Sequence, residues 1–521
     1  MTQKQYLFSI DNGTQSVRAL IFDLDGNLVA KGKEEIEPYF STEPGFAEQD
    51  PEYFWQALGR ACAKLWAVSP VKPEQIAGVS VTTQRGTVIN LDQNGKPLRP
   101  AIIWLDQRHA DASGSMGWLW DTLLPLAGAT AIAKSFREQA QANWIAQNQT
   151  DVWHKTHKYL LLSGYLNFRL TGQFKDSIGS QVGYLPFDYR RHRWAGKHDL
   201  KWKMLPPDLR LEQMVALVKP TAHLGTIQAE ASRHTGLLEG TPVQAAASDK
   251  ACEILGAGGT QKGMGCMSYG TTATINLTMP KYVEPLRFMP AYAAAIPDTY
   301  SSEIMIYRGF WMVSWFKREF GLREQHLALE RGVEPEALFD ELVNSVPAGS
   351  MGLMLQPYWS PGDREPGPEA KGAVIGFGDV HTRAHLYRAI LEGLAYALRE
   401  GSETLQRRSG VKMHALRVAG GGSQSDAAMQ LTADIFGLPA ERPHTYETSG
   451  LGAAMDCAVG LGLMPDFDTA IKRMTRVGAR FEPRVGEKLL YDRLYKEVYQ
   501  KMYKHMQPLY HSIRDITGYP Q

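Results

Sequence analysis

The sequence has few cysteines and no long apolar run, and both absences narrow the kind of protein that it encodes. The four cysteines, Cys62, Cys252, Cys266 and Cys457, are scattered over 521 residues and form neither a CxxC pair nor another zinc-binding spacing. Scattered cysteines of this kind are typical of reduced thiols in the cytosol. No run of about 18 apolar residues is present, and the opening MTQKQYLFSI lacks the apolar core of a signal peptide. We therefore expect a soluble, cytoplasmic protein.

An excess of charge of either sign is also absent. The 56 lysines and arginines nearly balance the 55 aspartates and glutamates, which gives a formal net charge of +1. This balance offers no electrostatic footprint for a nucleic acid or an anionic membrane, so a small molecule is the expected partner. At 521 residues the chain exceeds what one hydrophobic core usually supports, and two large domains are expected.

Two common nucleotide-binding motifs are missing as well. The sequence contains no GxxxxGK[ST] loop, and no GxGxxG follows its first predicted strand. These absences argue against P-loop and Rossmann chemistry. The 14 histidines show no HExxH or other metal-ligand spacing, so we interpret them as structural or exposed.

The first stretch with a chemical pattern is FSIDNGTQSVRALIFD, near the start of the chain. Its apolar runs predict strands over 6–10 and 17–22, joined by the polar turn DNGTQS. A tight turn needs Gly or Asn for its backbone angles, but it does not need a carboxylate, two hydroxyls and a nearby arginine. Taken alone, Asp11 is most simply a turn-capping aspartate, and only the neighbouring hydroxyls and arginine indicate a functional role.

A second turn of the same design occurs in GCMSYGTTATINLTM, where Gly270 and Thr271 lie between two predicted strands. Strands and helices alternate elsewhere, which is typical of an α/β protein. The glycine-rich passage ILGAGGTQKGMG, at 254–265, marks a boundary between two parts of similar design. Such turns present N–H groups and hydroxyls to anions, so two of them across a cleft would clasp a polyphosphate.

Two further segments differ in how much their patterns predict. HALRVAGGGSQSDAAMQLTADIFGLP predicts a strand, a glycine triplet and a helix from about 425 to 436. The side-chain-free triplet would let a flat ring approach the backbone. Segment 135–201 is polar and aromatic and predicts no definite elements, and we interpret it as an insertion or cap.

Four segments together resemble the FGGY carbohydrate kinases, the family of glycerol kinase, xylulokinase and gluconokinase. They are SIDNGTQSVRALIFD, SDKACEILGAGG, SYGTTATI and VAGGGSQSDAAMQLTADIFGLP, in the order and at the separations seen in the family. The resemblance covers nearly the whole chain. It implies an α/β, actin-like ATPase fold of two ribonuclease-H-like domains that flank a cleft, with ATP in the cleft and Mg²⁺ at its phosphates. The domains would span 1–255, with the sugar site, and 256–521, with the adenosine site; the family also suggests a homodimer.

The resemblance implies roles for individual residues. Asp11 would help to position Mg²⁺ and the attacking group, and Asp249, in AAASDKACEILG, would be the general base. The nucleotide would contact Thr14, Gln15, Arg18, Gly270, Thr271, Gly309, Gly421, Gly422 and Ser425. The sugar would contact Gln84, Arg85, Trp104 and Asp106 in the segments that resemble the family's sugar-binding segment. Lys250, which follows Asp249, is a further candidate for a sugar contact although it departs from the family.

Simpler interpretations compete with some of these roles. Asp249 is also consistent with an N-cap of a helix that begins near Ala251, and Arg85 with an ordinary surface arginine. Lys250 stands where relatives usually carry a neutral residue such as Asn or Gln. The QRG sequence at 84–86 matches neither the Arg-Glu pair of glycerol kinases nor the Met-His pair of xylulokinases. The sugar segment is therefore where this chain departs from its relatives.

The sequence thus predicts an ATP-dependent kinase for a hydroxyl of a small carbohydrate. LRPAIIWLDQR and LYRAILEGLAYALREG look more like pentulose kinases than glycerol kinase, which favours a ketopentose such as xylulose. Glycerol, another polyol or a sugar acid such as gluconate are alternatives, and Lys250 would suit an acidic substrate if it points into the pocket. From another class, the chain could be an actin-like nucleotide-binding regulator with little transfer activity. The presence of both Asp11 and Asp249 argues against that alternative.

Overall fold

A computed structural model describes residues 5–333, 335–360, 362 and 366–519. The chain divides into two compact units. The first runs to Gly256 and also contains Met279–Ser301 and Glu447–Thr475, and the remaining residues belong to the second. Two late segments of the chain therefore pack with its beginning. The predicted division into domains at 255/256 stays a prediction.

The elements follow one another as short strands and mostly short helices. The strands are β1 (Tyr6–Asn12), β2 (Ser16–Phe22), β3 (Leu28–Glu35), β4 (Glu48–Gln49), β5 (Ile76–Thr83), β6 (Val88–Leu91), β7 (Ala101–Ile102), β8 (Lys158–Leu161), β9 (Lys175–Ser177), β10 (Phe187–Asp188), β11 (Arg193–Trp194), β12 (Ala216–Val218), β13 (His223–Thr226), β14 (Pro242–Ala245), β15 (Met264–Tyr269), β16 (Ala273–Met279), β17 (Tyr292–Ala293), β18 (Tyr300–Ile306), β19 (Met354–Gln356), β20 (Ala373–Ile375), β21 (Ala415–Ala419), β22 (Ala440–Pro443) and β23 (Val477–Phe481). The helices are α1 (Pro51–Val68), α2 (Trp118–Ala127), α3 (Thr130–Gln139), α4 (Gln141–Asn148), α5 (Thr150–Lys155), α6 (Leu162–Thr171), α7 (Leu200–Lys203), α8 (Ala229–Thr235), α9 (Asp249–Gly256), α10 (Trp311–Phe320), α11 (Leu322–Arg331), α12 (Pro335–Asn344), α13 (Arg383–Ser409), α14 (Asp426–Phe436), α15 (Thr448–Gly460), α16 (Phe467–Met474), α17 (Val485–Leu494) and α18 (Gln500–Thr517).

The main sheet of the first unit is built on the predicted opening hairpin. β1 pairs antiparallel with β2, and β2 pairs antiparallel with β3. β1 also pairs in parallel with β5, which pairs in parallel with β14. The order across the sheet is β13-β14-β5-β1-β2-β3. Both faces of the central strands are buried, which is why β1, β2 and β5 read as nearly continuous apolar or small residues.

The second unit repeats this arrangement. β15 and β16 form an antiparallel hairpin, β15 pairs in parallel with β21, and β21 pairs in parallel with β22. From β18 onward the order across this sheet is β18-β16-β15-β21-β22-β23, which mirrors the order β3-β2-β1-β5-β14-β13 strand by strand. The internal duplication inferred from the two Gly-Thr turns is confirmed by this topology.

The structure also tests the expectations for the helix after the glycine triplet, for segment 135–201, for the cysteines and for a membrane-spanning helix. The helix predicted from about 425 to 436 is α14, with Ser425 as its N-cap. Segment 135–201 contains α4–α6 and β8–β11, in which strands of two to four residues are too short to leave a periodic pattern. All four cysteines are buried and free. No helix among the described residues combines the length and the apolar character needed to cross a membrane.

Helices α9 and α15 of the first unit pack closely at two glycines, one from each helix. A Cβ on Gly452 would lie 1.9 Å from the carbonyl oxygen of Cys252. A Cβ on Gly256 would lie 2.0 Å from the carbonyl oxygen of Thr448. Because no side chain fits at either position, the two backbones touch, and the end of α9 lies against the start of α15.

Gly452→Ala should therefore destabilise the first unit. The added methyl group would overlap the backbone of α9, and overpacking of this kind costs about 1–3 kcal/mol. Thermal denaturation should show a lower Tm. Gly486→Ala in α17 is the matched control, because a Cβ there meets no described atom within 4 Å and the glycine is exposed. A Tm for Gly452→Ala that equals those of the parent and the control would contradict the close crossing.

Candidate active site

Asp11 lies at the end of β1, directly before the first Gly-Thr turn, and its side chain is buried. It stands opposite Arg18 in the β1–β2 register, and Arg18 Nη2 lies 3.1 Å from Asp11 Oδ2. The N–H of Gly13 donates to the carbonyl of Ser16 at 3.0 Å and closes the turn. Strand pairing therefore places the carboxylate and the guanidinium side by side.

The surroundings of Asp11 are rich in carboxylates. Burial raises the pKa of Asp11 to about 6, although the Arg18 cation opposes the rise. The negative charges of Glu447, Asp249 and Glu253 add to it. A cation brought in with a ligand would be stabilised at this place.

A magnesium ion fits this donor set only together with oxygen atoms of a ligand. Among the described residues, no group of three or more His, Cys, Asp or Glu side chains is arranged to hold a metal ion. Mg²⁺ is commonly bound by one or two carboxylates plus phosphate and water oxygens. The carboxylate of Asp11 is a hard oxygen donor of that kind, so it suits a metal that arrives with a phosphate group.

Arg18 has a second carboxylate partner, which the sequence analysis missed. Its Nη1 lies 2.7 Å from Glu447 Oε2, and Lys31 Nζ lies 2.5 Å from Oε1 of the same carboxylate. Burial acts to raise the pKa of Glu447, but the two cations outweigh it, so this pKa lies below its usual range. Arg18 and Glu447 are 429 residues apart in the chain, and no local motif signals a contact over that separation.

Asp249 is the first residue of α9 and is partly exposed. The helix thus begins two residues earlier than the N-cap interpretation requires, and the carbonyl of Ser248 accepts from the N–H of Cys252. The carboxylate of Asp249 accepts from the N–H of Lys250 at 2.8 Å. This bond leaves the carboxylate room for a further partner, because an ionised carboxylate has about four acceptor positions.

Two cations act on Asp249. Burial raises the pKa of Asp249 above its usual range, while Arg85 and Lys250 oppose the rise. The guanidinium of Arg85 lies over the ring of Tyr292, with Cζ 5.3 Å from the ring centroid, and Lys250 Nζ lies 3.3 Å from Glu253 Oε1. Arg85 therefore belongs to the surroundings of Asp249 and is not an ordinary surface arginine. A carboxylate with a raised pKa and partial exposure is able to serve as a general base.

Hydrogen bonds connect the first turn to the predicted sugar segment. Trp104 Nε1 donates to Thr14 Oγ1 at 3.0 Å, and Thr14 Oγ1 donates to Gln84 Oε1 at 3.1 Å. The single hydroxyl proton of Thr14 is thereby used within the protein. Gln15, the next residue of the turn, is exposed. The structure thus brings Thr14, predicted to contact the nucleotide, together with two residues predicted to contact the sugar.

Asp106 differs from the other predicted sugar ligands, because protein groups occupy its carboxylate. Arg108 donates to it from Nε at 2.8 Å and from Nη2 at 2.7 Å, and the N–H of Ala47 donates at 2.6 Å. The guanidinium of Arg108 also lies 3.8 Å from the ring centroid of Phe46. These contacts hold the turn that presents Trp104, so positioning is the role that the geometry supports for Asp106.

In the second unit, the turn between β15 and β16 packs against the loop before α10. The N–H of Phe310 donates to the carbonyl of Gly270 at 3.1 Å. A Cβ on Gly309 would lie 2.2 Å from the backbone nitrogen of Ala273, so only glycine allows this approach. Thr271, at the tip of the turn, is exposed. The second turn is therefore rigidly backed and open on its outer side.

The glycine triplet lies near the same loop. A Cβ on Gly422 would lie 2.3 Å from the ring of Phe310, whereas a Cβ on Gly421 would meet no described atom within 4 Å. The open space at Gly421 is what the approach of a flat ring requires. Ser425 Oγ accepts from the N–H of Ala428 at 3.0 Å and donates to Asp340 Oδ1 at 2.5 Å, so its side chain caps α14.

Each unit thus gathers its own part of the predicted residues. The first unit contains Asp11, Thr14, Gln15, Arg18, Gln84, Arg85, Trp104, Asp106, Asp249 and Lys250. The second unit contains Gly270, Thr271, Gly309, Gly421, Gly422 and Ser425.

Comparison with known proteins identifies the family. Residues 6–256 match the N-terminal domain of the FGGY family of carbohydrate kinases, and residues 265–461 match its C-terminal domain. The chain is 30% identical over 506 residues to the uncharacterized sugar kinase YgcE of Escherichia coli K12, covering 96% of this chain and 94% of that protein. It is 26% identical to a xylulose kinase of Staphylococcus epidermidis, covering 99% and 100%, and 29% identical to a glycerol kinase of Lactobacillus acidophilus, covering 94% and 97%.

Solved structures share the fold. A xylulose kinase from Rhodospirillum rubrum superposes with a TM-score of 0.78 at 24% identity, covering 97% of this chain and 100% of that one. A gluconate kinase from Lactobacillus acidophilus superposes with a TM-score of 0.77 at 22% identity, covering 99% and 98%. The predicted α/β, actin-like fold is confirmed by these likenesses and by the two family matches. With both of its domains matched, the chain belongs to the FGGY family of carbohydrate kinases.

Proposed function

We propose that this carbohydrate kinase transfers the γ-phosphoryl group of ATP to a hydroxyl of a ketopentose such as xylulose. The observation that carries the proposal is the partly exposed carboxylate of Asp249, whose pKa is raised and which two cations face within the unit that holds the sugar segment. The choice of a ketopentose is supported by relatives named xylulose kinase, which match 97–99% of this chain at 26–28% identity.

In this proposal Asp249 is the general base. Its carboxylate accepts the proton of the attacking hydroxyl as that oxygen bonds to the γ-phosphorus and the bond to the bridging oxygen of ADP breaks. The ring face of Trp104 packs on the C–H surface of the sugar, and the amide of Gln84 pairs with a hydroxyl. Mg²⁺, held with ATP by Asp11, would neutralise charge on the phosphates.

The nucleotide is proposed to contact residues of both units. The turn residues Thr14 and Gln15, with Arg18, would orient the phosphates. The other proposed contacts are Gly270, Thr271, Gly309, Gly421, Gly422 and Ser425. A cytoplasmic location and a homodimer stay predictions, as does the direct contact of Asp106 with the sugar.

A sugar acid is the second candidate substrate, and Arg85 and Lys250 favour it. Both cations act on Asp249, so a substrate carboxylate in their neighbourhood would be attracted by the same charges. Against it, Lys250 already pairs with Glu253. Glycerol is the third candidate, supported by relatives named glycerol kinase.

A substrate panel tests the choice among these classes. ATP consumption is measured with ketopentoses, glycerol and other polyols, and aldonic acids, each at several concentrations. We expect the highest kcat/KM for a ketopentose. A preference for an aldonic acid would establish the second candidate instead. ATP consumption that no member of the panel increases would favour a nucleotide-binding regulator with little transfer activity.

Asp249→Asn should nearly abolish turnover. The amide keeps the size of the side chain but does not accept the proton, and general-base catalysis contributes about 10²–10⁴-fold. Thermal melting and calorimetric ATP binding should resemble those of the parent protein, because the carboxylate is assigned to the acceptor hydroxyl. Near-parental kcat would contradict the assignment.

Asp456→Asn is the matched control for Asp249→Asn. Asp456 is a buried aspartate of α15, and its Oδ2 lies 3.9 Å from Sγ of Cys252 in α9, the helix that carries Asp249. Burial holds the pKa of Asp456 well above its usual range, and the amide of Asn keeps the size and shape of the side chain. This variant should keep parental turnover. A loss as large as that in Asp249→Asn would show that the effect arises from disturbed packing of α9.

Lys250→Gln should shift the pH dependence of kcat/KM. Lys250 lowers the pKa of Asp249, so removal of its charge raises that pKa, and the acidic limb of the profile should move to higher pH. Lys219→Gln is the control, since Lys219 is an exposed lysine of the same unit, paired with Asp298 at 2.7 Å. An acidic limb that stays in place in Lys250→Gln would contradict the role of Asp249 as the titrating base.

A further inference from the structure

The guanidinium of Arg18 is shared between two carboxylates. Nη2 lies 3.1 Å from Asp11 Oδ2, and Nη1 lies 2.7 Å from Glu447 Oε2. Asp11 is 1% exposed and the side chain of Glu447 is 9% exposed, so both carboxylates compete for the same cation away from most solvent. The shorter contact belongs to Glu447.

This sharing is not what a lone Arg-Asp pair adopts. An arginine beside a single carboxylate commonly forms two parallel N–H···O bonds to it. Arg108 makes such a pair with Asp106 through Nε and Nη2, while its Nη1 lies 2.9 Å from Glu48 Oε1. Arg18 instead gives one terminal nitrogen to Asp11 and the other to Glu447. With Nη1 on Glu447, Arg18 does not present both of its terminal nitrogens to Asp11.

Lys31 compensates the negative charge of Glu447. A buried carboxylate without a partner is strongly destabilising. Lys31 Nζ lies 2.5 Å from Glu447 Oε1, so Glu447 is compensated even though Arg18 also serves Asp11. Two carboxylates and two cations thus form one alternating chain, in the order Asp11, Arg18, Glu447 and Lys31.

We propose that Glu447 is a positioning residue that keeps Arg18 from an end-on pair in which both of its terminal nitrogens face Asp11. The carboxylate of Asp11 then keeps acceptor capacity for Mg²⁺ that arrives with the nucleotide. The inference rests on the proposed role of Asp11 toward that ion. Glu447 lies outside the segment FSIDNGTQSVRALIFD, which contains the first turn, and belongs to Glu447–Thr475, a part of the first unit that comes late in the chain.

The test measures how much Mg²⁺ strengthens nucleotide binding. The Kd of the non-hydrolysable analogue adenosine 5′-(β,γ-imido)triphosphate is determined by calorimetry in excess Mg²⁺ and in EDTA, and the ratio of the two values is the Mg²⁺ contribution. In Glu447→Gln, Arg18 is free to close on Asp11, and this ratio should fall by about tenfold, the size of effect typical of a residue that orients a metal ligand. An unchanged ratio would overturn the inference.

Three variants separate positioning from a general loss of charge or stability. Lys31→Met keeps the pair of Glu447 with Arg18 and should keep the parental ratio; a fall as large as in Glu447→Gln would overturn the inference. Glu447→Asp keeps the carboxylate and should retain most of the ratio; a fall as large as that in Glu447→Gln would overturn the inference. In Glu447→Gln with Arg18→Lys, the lysine offers no bidentate fork, so part of the ratio should return.

Asp11→Asn distinguishes a failure of the proposed role of Asp11 from a failure of the inference about Glu447. If this variant leaves the Mg²⁺ contribution unchanged, the proposed role of Asp11 fails and the inference about Glu447 fails with it. If Asp11→Asn removes the contribution while Glu447→Gln retains it, the role of Asp11 stands and Glu447 is only a structural partner of Arg18.

Discussion

The buried carboxylate of Asp11 is the constraint around which the first unit is organised. A charge at the end of a central strand is costly unless cations compensate it. The β1–β2 register supplies Arg18 from the neighbouring strand, Glu447 shares that cation with Asp11, and Lys31 compensates Glu447. Three separate elements, β2, β3 and the residue before α15, are therefore tied to one carboxylate. The position of α15 follows in part from this ion-pair chain.

The contact between α9 and α15 at two glycines connects the ion-pair chain to the helix that begins at Asp249. Asp249 is the first residue of α9, and Glu447 directly precedes α15. Gly256 at the end of α9 meets Thr448 at the start of α15, and Gly452 meets Cys252, so the two helices touch backbone to backbone. The carboxylate proposed as the base is therefore on a helix that packs directly on the helix that follows Glu447.

The duplicated second unit shows how one topology carries different chemistry. Its hairpin repeats the strand pairing of the first, but Ser268 and Tyr269 stand where the first hairpin has Asp11 and Asn12. Tyr269 stacks on Phe310 with ring centroids 4.3 Å apart, which stiffens the turn. Only one of the two turns therefore presents a carboxylate. A metal role is consistent with the first hairpin, whereas the second offers N–H groups and hydroxyls.

The sequence by itself determined the features that depend on neighbouring residues. Turn residues and apolar runs predicted both hairpins and α14, and the four FGGY segments pointed to Asp11 and Asp249, because each is a pattern within a few residues. Only the tertiary structure decided the partners. Glu447 meets Arg18 from 429 residues away, Arg108 occupies Asp106, and α9 begins at Asp249 itself and not near Ala251. Such contacts depend on which elements pack together, and local sequence patterns carry little information about packing between distant segments.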